Sequence, residues 1–178
     1  AADLKELRRR QRKRTLFFAS DAAPFYLLAL LRKGDADSLS KAAEYLDQAM
    51  RRCQPATFMA VALAAIEALL GSQSGLSPGA ALRPLQPFIA DWQKIPGAPG
   101  PLFVGMALFS INGRLAKKEI ETLNQLFLRC RQAGLDWLAM EYGELLCRAD
   151  KETPSRREVV RTIREATGLV PLTAGIQI

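Results

Sequence analysis

The stretch FMAVALAAIEALL, residues 58–70, constrains the fold more than any other part of the chain, because at a helical repeat it is apolar nearly all round and carries one charge, Glu67. A helix without a polar face has to be buried between neighbours. The chain must therefore supply helices to surround it, and it does. Apolar residues recur at three- and four-residue intervals from end to end, with no series of alternating strands punctuated by hairpin turns. The prediction is an all-α fold of antiparallel helix pairs, a bundle or short α-solenoid.

Local signals place the other helices. Pro24 sits near the start of PFYLLALLRKG, where its missing N–H costs little, and Gly34 offers a left-handed stop. Asp37 or Ser38 is positioned to cap SLSKAAEYLDQAMRR, whose Leu39, Ala42, Ala43, Leu46, Ala49 and Met50 make one apolar face. Pro55 is expected to start the all-apolar helix and Gly71 to end it. Ala42, Leu46 and Ala49, with Pro55 beyond them, fit part of the tetratricopeptide pattern, although the match does not recur 34 residues on.

Residues 71–101 change character to GSQSGLSPG, RPLQPFIADWQ and PGAPGP, which predicts a loop-rich connection with one short helix around Leu85 to Gln93. Helical text then resumes. Leu102 to Ile111 reads as a core helix stopped at Asn112-Gly113. Lys117 to Gln132 places Ile120, Leu123, Phe127 and Cys130 on one face, and Leu135 to Arg148 carries Leu138, Tyr142, Leu145 and Leu146 inward. Thr153 and Pro154 open a last helix with Val159, Val160 and Ile163 inward, where the Ser155 to Glu158 spacing suits a capping box. Residues 1–178 are expected to form a single helical domain with a basic segment over 1–15 and an uncharged tail over 168–178.

The uncharged run from Lys94 to Arg114 does not read as a membrane span. Three prolines break its first part, and the ten apolar residues after them reach about 15 Å against a hydrocarbon core of about 30 Å. Three cysteines, Cys53, Cys130 and Cys147, are an odd number without framework spacing, which points to reduced thiols and the cytoplasm. An amino-terminal Ala and a carboxy-terminal stretch without charge suggest an excised piece of a larger protein.

Enzymatic chemistry finds little support in these residues. No histidine is present, which removes the commonest general base, the Ser-His-Asp triad and every histidine-containing metal site. Neither phosphate-cradling glycine pattern occurs. GSQSG has Gln73 where a nucleophile elbow has serine, and three thiols do not complete a four-ligand zinc site, so the cysteines read as packing residues. The pairs Glu141/Glu144 and Glu119/Glu121 read as solvated helix faces rather than an acid and its base. No catalytic residue, cofactor or metal is assigned.

Charge is the feature left over. The formal net charge is +7, and the first fourteen residues hold seven bases and two acids, most of that excess. Arg8, Arg9, Arg10, Arg12, Lys13 and Arg14 are the candidate nucleic-acid contacts, since clustered cations neutralise phosphates and release counterions without reading sequence. The same residues also suit the solvated face of an amphipathic helix docked through Leu4 and Leu7, or pairing with acids of a neighbouring domain. That apolar strip is too narrow to favour a membrane surface.

The wording RRRQRKRTLFFASDAAPFYLLALLRKGDADSLSKAAEYLDQA, residues 8–49, resembles a segment of the bacterial Swi/Snf-type helicase-like ATPases, which join a SWIM zinc finger to a double-RecA motor through a long helical region. The resemblance rests on Arg12 to Arg14, Phe25 to Leu31, Gly34-Asp35 and Ala42 to Leu46, and AGLDWLAMEYGELL, residues 133–146, looks like a later helix of the same region. It implies a non-catalytic accessory or scaffold domain that positions the motor of its parent or binds a partner, with DNA or RNA touching its basic edge. The alternative is a free-standing helical-repeat adaptor for another protein.

Overall fold

The computed structural model describes residues 23–150 and 154–168, together with Pro171. Among the described residues there are nine α-helices and no strand, as the spacing predicts. They are α1 (Ala23–Lys33), α2 (Ala36–Met50), α3 (Phe58–Gln73), α4 (Pro78–Ala81), α5 (Gln86–Ile89), α6 (Gly100–Asn112), α7 (Lys117–Gln132), α8 (Asp136–Ala149) and α9 (Pro154–Thr167). Short 3₁₀ turns at Arg83–Leu85 and Trp92–Lys94 complete the connection before α6.

Helix α3 is the axis of the molecule. Val61 to Ile66, Ala68 and Leu69 are all buried, and α1, α2, α4 and α6 pack around it. Glu67, its one charge, falls at a partly exposed position. Two or three residues separate α1 from α2 and α7 from α8, and the members of each pair touch extensively, which folds each pair back on itself as a hairpin. One hydrophobic cluster runs from Leu27 in α1 through α3 and α6 to Leu146 in α8, with Val159 and Ile163 of α9 packed on its end.

Helix ends depart from the expectations by a few residues, each for a local reason. Asp35, not Asp37 or Ser38, caps α2: its carboxylate accepts the Ser38 N–H at 2.9 Å and the Ser38 hydroxyl at 2.9 Å, and Ser38 is buried one turn inside. Pro55 does not start α3, because Ala56 takes a left-handed φ of 62° and Thr57 then caps the helix by accepting the Ala60 N–H. Gly71 lies inside α3, which continues to Gln73. Gly34 and Gly113 do end α1 and α6 in left-handed conformation. On α2, Ala42, Leu46 and Ala49 are buried, whereas Ala43 and Met50 face solvent, so the apolar strip is narrower than its spacing suggests.

Residues 71–101 are more ordered than a loop-rich connection. Pro78, Pro84 and Pro87 each stand in the first turn of a short helical piece, where proline is tolerated, and each successive proline prevents the piece before it from propagating. Leu82, Leu85 and Ile95 anchor this chain of turns in the core. In α9, Ser155 is an internal helical residue and Glu158 is bonded by Arg161, so the expected capping box does not form. No helix among the described residues is long and apolar enough to cross a membrane.

Candidate functional site

The basic cluster Arg8, Arg9, Arg10, Arg12, Lys13 and Arg14 lies outside the described residues. Within them, a different set of arginines converges where α9 lies on α8. Gly143 makes that approach possible. A Cβ there would stand 2.6 Å from Val160 Cγ2 and 3.1 Å from Phe127 Cε2, so a side chain at this point would push α9 outward. Val160 is buried against the glycine, and Arg157, Arg161 and Arg164 around it line one cleft with Glu144, Cys147 and Arg148 of α8. The resulting open cleft encloses about 650 Å³ and is lined by Arg148, Arg157, Arg161 and Arg164 against Glu144 and Glu165.

The arginines of α9 divide by what they bond. Arg156 Nη1 lies 3.0 Å from Asp150 Oδ2, the two side chains only 12% and 26% exposed, and clamps the start of α9 to the end of α8. Arg161 holds two carboxylates at once, Glu158 and, at 3.0 Å, Glu165. The Arg161 hydrogen bond keeps Glu158 below the usual carboxylate range. Arg157 and Arg164 are exposed and have no carboxylate partner among the described residues. Across the cleft, the Arg148 guanidinium lies 5.3 Å from the centroid of Phe109, within cation–π distance. Burial pushes the Cys147 thiol up, Glu144 adds to the effect and Arg157 and Arg156 oppose it, which leaves a neutral thiol wall at neutral pH rather than a thiolate nucleophile.

A second cleft, of about 770 Å³, opens where residues 90–98 cross α7. Trp92, Ile95 and Leu126 supply apolar surface, and Asp91, Lys118 and Arg129 supply charge. The crossing segment is tied down from beneath, since the Tyr142 hydroxyl donates to the Ala98 carbonyl. Burial raises the Tyr142 hydroxyl well above the ordinary tyrosine value, so it stays a donor throughout the physiological range.

The remaining candidates resolve individually. Glu141 is fully buried within α8, not on a solvated face, because successive turns of that helix are enclosed by several neighbours; Glu144 is partly exposed. Glu119 accepts the Ala116 N–H at 2.7 Å and so serves the start of α7. Of the cysteines only Cys130 is buried, and Cys53 and Cys147 are partly exposed. No group of three or more Cys, Asp or Glu among the described residues is arranged to hold a metal ion. Within GSQSG, the Gln73 amide donates to the Leu31 carbonyl at 3.3 Å and ties α3 to α1.

Sequence reasoning passed over the arginine cleft. Its signal was present in the PSRREVVRTIREAT spacing, which puts Arg157, Arg161 and Arg164 on one helix face, but their meeting with Arg148 depends on Gly143. Compared with known proteins, the chain matches no family model, no curated protein and no solved structure.

Proposed function

We propose that the chain is a non-catalytic helical accessory domain, with tetratricopeptide-like packing of its helix pairs, that seats a segment of a neighbouring domain or partner. The reading is carried by the amphipathic cleft between residues 90–98 and α7, where Trp92, Ile95 and Leu126 offer apolar surface and Lys118 and Arg129 two cations, while Asp91 is paired with Lys94. Such a combination suits an acidic, amphipathic protein segment. The phrasing of residues 8–49 supports placing the domain in a bacterial Swi/Snf-type ATPase of the cytoplasm, where it positions the motor. In that setting the segment Arg8 to Arg14 contacts DNA or RNA phosphates.

A photo-crosslinking amino acid at Leu126 in the complete gene product tests the proposal, with the exposed Leu76 as the control position. Crosslinks from position 126 to a motor within the same polypeptide are expected. Crosslinks to a separate protein point instead to the free-standing adaptor. Equal yields from positions 126 and 76 would remove the cleft as a docking site, and ATP turnover by the purified 178-residue chain would count against a non-catalytic role.

A further inference from the structure

We infer that the cleft between α8 and α9 is a binding site for the phosphodiester backbone of a nucleic acid, built from residues other than Arg8 to Arg14 and independent of the docking cleft over α7. Four arginines and two glutamates line it, and the glutamate on α9, Glu165, is already held by Arg161. The ion pairing of α9 is selective. Arg156 and Arg161 are committed to carboxylates, while Arg157 and Arg164, on the same helix face, carry exposed guanidinium groups with no such partner among the described residues. Arg148, whose guanidinium lies over Phe109, also lines the cleft, so both helices contribute arginines to it.

Spacing favours a polyanion over a single phosphate. Arg157 and Arg164 are seven residues apart, about 10.5 Å along the axis at the helical rise. Phosphates rise about 3.4 Å per nucleotide along the axis of B-form DNA and also wind around it, so neighbouring phosphates are farther apart than the rise alone, and two arginines about 10.5 Å apart can meet phosphates of one strand one or two nucleotides apart. A lone phosphate on a peptide would engage one of them well and the other at a stretch. The cleft is open rather than enclosed; Val160 and Cys147 add uncharged surface, Glu165 is held by Arg161, and Glu144 on α8 is outnumbered by the four lining arginines, so the cleft remains net cationic towards a strand lying along it. Such contacts position a strand; they do not read its bases.

The test uses the full 178-residue chain, fluorescent single-stranded DNA, RNA and duplex DNA of equal length, and titrations at several salt concentrations. Three variants are compared with wild type: Arg157→Ala/Arg164→Ala, Arg157→Lys/Arg164→Lys and Arg8→Ala/Arg9→Ala/Arg10→Ala. Circular dichroism checks that each is folded. For single strands the α9 alanine variant is expected to bind at least about tenfold more weakly and to lower the salt slope by about 1.4, the value for two lost phosphate contacts. The lysine variant should retain the slope, and the loss should add to that of the amino-terminal variant. Wild-type affinity and slope in the folded α9 alanine variant would overturn the assignment, as would absence of nucleic-acid binding by wild type. Tighter binding of a singly phosphorylated peptide, competing with the oligonucleotide, would replace it with phosphoprotein recognition. None of these outcomes bears on crosslinking from position 126, so either proposal can fail alone.

Discussion

Single residues set the geometry of this molecule in two different ways, by being small and by being charged at the right helix end. Gly143 belongs to the first kind. It is not in a left-handed conformation, so its role is steric: it admits Val160. Gly143→Ala is expected to destabilise the fold by about 1–3 kcal/mol through overpacking, measured by urea unfolding, and adding Val160→Ala should recover part of the loss. Additive losses in the double variant would show that the two residues do not share a contact. Asp35 belongs to the second kind. The Ser38 backbone N–H chiefly, then Lys33 and the Ser38 hydroxyl, lower its carboxyl to about 2. Because this folded-state value is depressed below the ordinary carboxylate value, the stabilisation it gives is complete above about pH 5 and is lost as pH falls through about 2. Wild type should therefore lose stability faster than Asp35→Asn between those values, as followed by thermal melts across the acid range. Parallel curves would exclude the charged cap as a contributor.

At the scale of elements, α3 and α9 are opposites, and the text of each announces its place. FMAVALAAIEALL has no polar face and is enclosed; PSRREVVRTIREAT has a narrow apolar strip of Val159, Val160 and Ile163 and lies on the outside. Ile66, fully buried in α3, is expected to cost about 2–5 kcal/mol when replaced by alanine, because the helices on every side limit collapse of the cavity. A denaturation midpoint within error of wild type would mean that α3 is not the packing axis. The inward faces of α7 and α8 were nearly as legible: Leu123, Phe127, Cys130, Leu138, Tyr142, Leu145 and Leu146 are buried, and Ile120, expected with them, is half-buried. Helix starts were less so. A cap depends on which of several neighbouring oxygens reaches an unpaired N–H, and Asp35, Asp37 and Ser38 differ by less in sequence than in geometry. In the proline-spaced connection, composition suggested a loop, whereas Leu82, Leu85 and Ile95 had enough core surface to fold it into turns.

Across the whole molecule, a polar contact between residues 44 positions apart, Tyr142 to Ala98, joins the connection to the carboxy-terminal helices. Tyr142→Phe is expected to cost about 1–2 kcal/mol. Faster amide hydrogen exchange over residues 95–100 should accompany it, because the segment flooring the second cleft loses its tether. Unchanged exchange there would show that apolar anchoring by Ile95 suffices. The order of residues alone establishes an all-α fold, which residues of most helices face inward, and that cationic charge exceeds anionic. Those properties follow from periodicity and composition, which act over a few residues. Three-dimensional packing adds that Glu141 is enclosed while Glu144 is not, that Arg156 and Arg161 are committed to carboxylates while Arg157 and Arg164 have none among the described residues, and that Arg148 lines one cleft with the α9 arginines. The pairing of Arg161 is local to α9, with Glu158 and Glu165 three and four residues away; the burial of Glu141 and the convergence of Arg148 with the α9 arginines depend instead on how closely two helices approach, a distance set at places such as Gly143 and Val160.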